Sequence, residues 1–139
     1  MSNWVFVETY HNWQQDKEHN FRYLGLKEKT LHSRGLKKKD LIFIYISKYK
    51  KFSDIRVIED INLIDTPNTF NYDKKFEKCI KTSSVKELKQ EKWIKLELLK
   101  NQLSFLKSES LLGFLLIRAP IIIDKRDGDI LLNEFNKNT

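Results

Sequence analysis

Aromatic side chains recur near the ends of the segments that read as strands and helices in this sequence. Trp13, Phe21, Tyr23, Tyr45 and Phe52 stand there, with the short polar residues Thr9, Asn12 and Ser47 beside them. Aromatic faces next to small hydrogen-bonding groups suit the capture of a nucleobase, because the base stacks on a ring while its edge is read by hydrogen bonds. Stacking of this kind is worth roughly 1–3 kcal/mol per base. Packing is the rival reading for each residue: Trp13 as a staple of the first turn, Tyr23 as a packing ring, Phe52 as a cap on a hairpin core, Ser47 as the end of a strand. Trp4, Phe6, Phe43, Trp93 and Phe105 follow apolar patterns and read as core.

The second chemical resource is positive charge. Lysines and arginines number 26 against 19 acids, a net charge of +7 and a pI near 9.4. A basic surface attracts phosphates by steering and by counterion release. The lysine-rich segments 27–29, 37–39, 48–51 and 74–75 fall in predicted turns, where they serve either as solvated turns or as a phosphate-contacting rim. Lys48 and Lys50 are candidates for that rim. Arg118 is the strongest single phosphate candidate, since an arginine inside an apolar stretch needs a partner; an ion pair with Asp124 is the alternative.

Other chemistries lack their residues. There is no phosphate-cradling glycine loop, no Gly-x-Ser-x-Gly and no metalloprotease His-Glu pair. The segment Asp124–Asp129 lacks the alternating acids of a calcium loop. One cysteine, Cys79, allows no internal disulfide, and with three histidines it makes a structural zinc site unexpected. The expectation is a non-catalytic protein without a cofactor. The start of the chain does not read as a signal peptide, and its longest apolar runs are far short of the roughly 20 residues that span a bilayer. A soluble, cytoplasmic protein with no membrane partner is expected.

These residues must be positioned by a small number of elements. With four glycines, two prolines and no repeat or linker, the 139 residues read as one domain spanning 1–139. Trp4–Val7 is an apolar strand, followed by a turn and a short polar helix over Trp13–His19. The uninterrupted run Leu41–Ile46 predicts a strand buried on both faces. Phe52–Ile58 predicts its hairpin partner, continued by Ile61–Ile64; Phe76–Thr82 and Gly113–Ile117 predict further strands. Trp93, Leu96, Leu99, Leu103 and Leu106 recur at helical spacing. Asp127-Gly128 between two apolar triplets predicts a hairpin turn. Together they imply an α+β domain built on a small, partly open β-barrel flanked by a few helices.

Four segments in order resemble the EVE domain, a PUA-like family related to the YTH readers of methylated adenine. They are Trp4–Trp13, Asn20–Leu26, Leu36–Asp40 with the strand to Tyr45, and Lys51–Val57. The resemblance implies a nucleic-acid-binding module, for DNA or RNA, that recognises a (modified) base in an aromatic pocket. It implies Tyr23 as one wall of the cage and Thr9, Tyr45 and Ser47 as its floor. The chain departs from the family pattern at Lys39, where glycine is usual before the aspartate, at Tyr23 and Leu111-Leu112, where tryptophans are usual, and in the predicted C-terminal hairpin. The implied cage is therefore reduced or altered. A PUA-like RNA-binding domain without modification selectivity, or a binder of a nucleobase-like ligand, is the alternative.

Overall fold

Strand β3 (Leu41–Ile46) occupies the middle of the molecule, and residues Ile42–Ile46 are completely buried. An apolar, β-branched run with no polar break belongs in such a place, because both of its faces must be covered. The computed structural model describes residues 1–27, 34–70, 78–106 and 120–139. Arg118, Leu111-Leu112, Lys74, Lys75 and the expected strand Gly113–Ile117 lie outside the described residues.

The other strands are β1 (Asn3–Glu8), β2 (Tyr23–Gly25), β4 (Lys51–Asp65), β5 (Lys78–Glu87), β6 (Ile94–Lys95) and β7 (Ile121–Ile123). β1 runs parallel to β3 with Trp4 opposite Ile42 and Glu8 opposite Ile46. β4 pairs antiparallel with β3, and the register slips by one residue at Ser53, so that Asp54 faces Ile44 while Phe52 faces Tyr45. The sheet order is β2-β5-β4-β3-β1-β7, with β6 attached to β4. The expected barrel is not closed: β2 and β7 end the order, and each has only three residues. Closure needs edge strands long enough to pair with one another, and these are not.

Three helices complete the described residues: α1 (Tyr10–Glu18), α2 (Leu96–Leu99) and α3 (Lys125–Lys137). Side chains alternate across a strand, so Glu8, Asp54 and Arg56 share the face that carries α1, where Trp13 and Asp16 contact them. Val5, Phe43 and Tyr45 point to the other face, and the Phe43 ring tilts against Phe135 of α3 at 6.2 Å.

Two of the expected elements take a different form. The helical spacing from Trp93 to Leu106 does not make one helix. β4 takes Ile94 and Lys95 as a strand, pairing them with Phe52 and Lys51, which leaves only single turns at Gln90–Lys92, α2 and Ser104–Leu106. The spacing survives as burial of Trp93, Leu96, Leu99, Leu103 and Leu106. Asp127-Gly128 is no hairpin turn either; it lies in the first turn of α3. Asp124 caps that helix by accepting from the Asp127 N–H at 2.8 Å, a strong start signal. The Asp127 carboxylate accepts from the Ser104 hydroxyl (2.6 Å) and N–H (3.0 Å), tying α3 to the Ser104–Leu106 turn. Gly128 lies close against the Asn3 side chain, which would have to shift to admit a Cβ there.

Candidate functional site

Helix α1 organises the site from both ends. Thr9 caps it, accepting from the Asn12 N–H at 3.1 Å. Its inner face carries Asn12, Trp13 and Asp16, all buried. The spacing of Asn12 and Asp16 sets them on the same side of the helix, over the sheet residues Glu8, Asp54 and Arg56.

Arg56 is fully buried. Its Nε donates to Asp54 at 2.7 Å, and Nη1 donates to Asp16 at 2.7 Å and to Glu8 at 3.2 Å. The guanidinium lies over the Phe21 ring, 4.7 Å from its centre. Asp54 also accepts from the Trp13 indole (3.0 Å) and the Ser53 hydroxyl (2.6 Å). Burial opposes the charge on Arg56, but the Asp54, Glu8 and Asp16 carboxylates outweigh it and raise its pKa further. Burial raises the Glu8 pKa against the pull of Arg56. Burial and then the Glu8 charge hold Asp16 well above the carboxylate range. The two carboxyls also perturb each other's titration, since they sit around the same guanidinium. Glu8 Oε2 and Asp16 Oδ1 are buried with no hydrogen-bond partner among the described residues.

Ring clusters flank this centre. At the end of α1, the His19 imidazole stacks on Phe70 with centroids 3.8 Å apart, and Tyr23 meets both rings edge-on at 6.5 and 5.9 Å. His19 is held by Gln15 O on Nδ1 (2.8 Å) and Thr69 Oγ1 on Nε2 (2.5 Å). A turn closed by Phe70 N–H to Pro67 O presents Thr69 and Phe70. All three rings are half-buried. At the start of α1, Tyr10 stacks on Trp13 (5.8 Å), and Tyr49 and Trp93 close around it.

The structure brings together some predicted residues and separates others. Asn12 and Trp13 face the ionic centre, and Asn12 Oδ1 is buried with no partner among the described residues. Tyr23 sits in the half-buried ring cluster. Thr9 is exposed, and its hydroxyl is engaged as a cap. The Ser47 hydroxyl donates to Glu8 O at 3.4 Å. Tyr45 and Phe52 lie on the opposite face of the sheet, rings 5.4 Å apart and both fully buried; burial pushes the Tyr45 phenol up to about 12. Lys48 and Lys50 are exposed in the turn between β3 and β4. Sequence patterns did not single out His19 and Phe70, whose segments carry no aromatic periodicity. Nor did they single out Arg56, although an arginine inside the apolar segment Phe52–Ile58 demands a partner just as Arg118 does.

With this geometry established, solved structures of the same shape are informative. Rpa0253 from Rhodopseudomonas palustris aligns with a TM-score of 0.67 at 14% identity, over 100% of this chain and 96% of that one. The Pho92 YTH domain in complex with m6A aligns at 0.68 and 14% identity, over 96% and 82% of the two chains. The YTH domain of Zygosaccharomyces rouxii MRB1 in complex with N6-methyladenosine RNA aligns at 0.67 and 11% identity, over 99% and 89%. The likeness shows a YTH-like fold. No family model and no curated protein sequence matches the chain.

Proposed function

We propose that this protein is a non-catalytic, EVE-type RNA-binding module that captures a base, with a modified base as its preferred target. The observation that carries the reading is the half-buried cluster of Tyr23, His19 and Phe70 on a YTH-like scaffold. Rings at stacking distance are what a splayed-out base requires. The net charge of +7 supports a polyanionic partner.

A binding screen of N6-methylated and unmodified RNA and DNA oligonucleotides tests the reading. Preference for the modified RNA is expected, with a loss of roughly five- to hundred-fold on Tyr23→Ala or Phe70→Ala. No preference, and no loss in either variant, rules base capture out. One observation favours the second reading, RNA binding without modification selectivity: His19 already stacks on Phe70 at 3.8 Å, so an incoming base has to displace it. On that reading, methylation leaves the affinity unchanged and the ring variants have little effect.

A further inference from the structure

The turn between β3 and β4 and the segment that follows β5 hold charge at a cost to the fold. Lys51 and Lys95 stand directly opposite each other across the β4–β6 ladder, where like charges are destabilising. Lys50 is held at φ +54°, a left-handed conformation that a residue with a Cβ occupies only under strain. Lys48 is exposed, its ammonium 5.6 Å from the centre of the Tyr49 ring. Among the described residues, none of these four lysines has a carboxylate partner, whereas Lys17, Lys78, Lys125 and Lys137 each have one. Segments 47–51 and 89–97 together carry six lysines against two glutamates. Tyr49 is 36% exposed and is fixed from below by Tyr10 at 5.2 Å and Trp93 at 6.0 Å. A rigid, partly exposed ring among unpaired lysines combines the two parts of a single-strand binding platform, a stacking surface and a phosphate track.

We propose that Lys48, Lys50, Lys51 and Lys95, with the Tyr49 ring among them, form a second contact surface for a single-stranded nucleic acid. The lysines take its phosphates and Tyr49 takes one unstacked base. This rests on the nucleic-acid reading above but not on base capture at Tyr23. The two surfaces lie at opposite ends of α1. Tyr10 and His19 are nine residues apart, which is about 13 Å along a helix, so one strand running beside α1 reaches both. A duplex has no unstacked base to offer Tyr49, which makes the single strand the fitting partner.

The experiment measures binding of a fluorescein-labelled, unstructured 12-nucleotide RNA by anisotropy across a salt series. The variants are K48Q/K50Q/K51Q/K95Q, Tyr49→Ala and Tyr23→Ala. A control, K38Q/K81Q/K125Q/K137Q, removes the same charge elsewhere on the surface. Circular dichroism checks that each variant is folded. The patch variant is expected to weaken binding and to lower the slope of log K against log salt by about 3, because each phosphate that a lysine no longer neutralises reduces the slope by roughly 0.7. Tyr49→Ala is expected to cost roughly five- to hundred-fold, and the control to change the slope far less than the patch. Equal losses in patch and control overturn the proposal, because charge alone then explains binding. An unchanged patch variant beside a defective Tyr23→Ala overturns it and leaves base capture standing; the reverse pattern supports it while removing base capture. Lysine-dependent binding to phosphatidylserine vesicles without binding to the RNA also overturns it, in favour of a lipid partner.

Discussion

Replacing Arg56 with methionine tests what holds α1 on the sheet. The substitution keeps much of the side-chain volume but removes three hydrogen bonds, two of them 2.7 Å long, to three buried carboxyls. Removing one partner of a buried ion pair costs about 3–5 kcal/mol, mostly for the charge left behind. Here three buried carboxyls lose their one cation, and about 4–5 kcal/mol is expected at pH 7. For a chain of 139 residues, that is a fall in melting midpoint on the order of 15 °C. Urea melts followed by tryptophan fluorescence suit the measurement, since Trp13 itself donates to Asp54. The sign with pH is also set. Without the guanidinium, the folded pKa values of Glu8 and Asp16, already raised by burial, rise further above their unfolded values. The stability they contribute is present below the unfolded values and is lost as pH rises through the folded ones. The deficit of Arg56→Met therefore shrinks between pH 7 and pH 5. A second variant, E8Q/D16N/D54N/R56M, removes the orphaned charges and recovers most of the loss. A deficit below about 1 kcal/mol at pH 7, or one that grows towards pH 5, refutes the assignment of these charges as the clamp on α1.

Two smaller perturbations probe the same framework. Asp16→Asn keeps a hydrogen-bond donor towards Glu8 but no longer titrates; because the wild-type pair has raised pKa values, its contribution is lost as pH rises through the folded value. The variant therefore gains stability relative to wild type as pH rises above the unfolded carboxylate range, and urea melts showing the opposite trend count against the raised carboxyl pKa of Asp16. Lys39 is exposed at φ +76°, so Lys39→Gly relieves roughly 1–2 kcal/mol of left-handed strain against about 0.5–1 kcal/mol of lost backbone entropy. A thermal melt should show a modest gain, absent in Lys39→Ala.

What the sequence made legible followed local physics. The run Leu41–Ile46 declared a doubly buried strand because no polar residue interrupts it, and the alternating partner Phe52–Ile58 declared its hairpin. The glycine expected before Asp40 was a real backbone signal: Lys39 adopts the left-handed conformation that a glycine accepts freely, while Asp40 is buried beneath the Trp4 indole (2.9 Å) and the Ser2 and Lys37 N–H groups. What stayed hidden depended on tertiary partners. Trp93 to Leu106 has the spacing of a helix, but a two-residue strand with β4 interrupts it, and spacing alone does not reveal that competition. Asp127-Gly128 carries a turn signature, yet Asp124 three residues earlier provides an equally good cap, and Asp127 is bonded to Ser104 from inside the helix. His19 and Phe70 are 51 positions apart in sequence, and only the return of β5 past β2 brings the loop before it to the end of α1.

The ionic centre and the two ring clusters belong to one design through α1. Only Asn12, Trp13 and Asp16 of this helix are buried, so it has a single apolar anchor instead of an amphipathic stripe. A helix so polar has little hydrophobic reason to dock, and what apolar contact it has is non-directional. Its rotation and register must come from directional bonds: Asp16 to Arg56, Trp13 to Asp54, and the Thr9 cap. Tyr10 at one end and His19 at the other are then placed by the same few bonds. Stacking sites tolerate errors of only about 0.5 Å, and charge-assisted hydrogen bonds of 2.7 Å supply that precision where packing does not. The three buried carboxyls and their arginine, costly to desolvate and weak as a source of stability, are best understood as the device that sets where the rings stand. If the two ring clusters bind RNA as proposed, loss of Arg56 weakens binding at both ends of α1 together, whereas Tyr23→Ala and Tyr49→Ala each affect one.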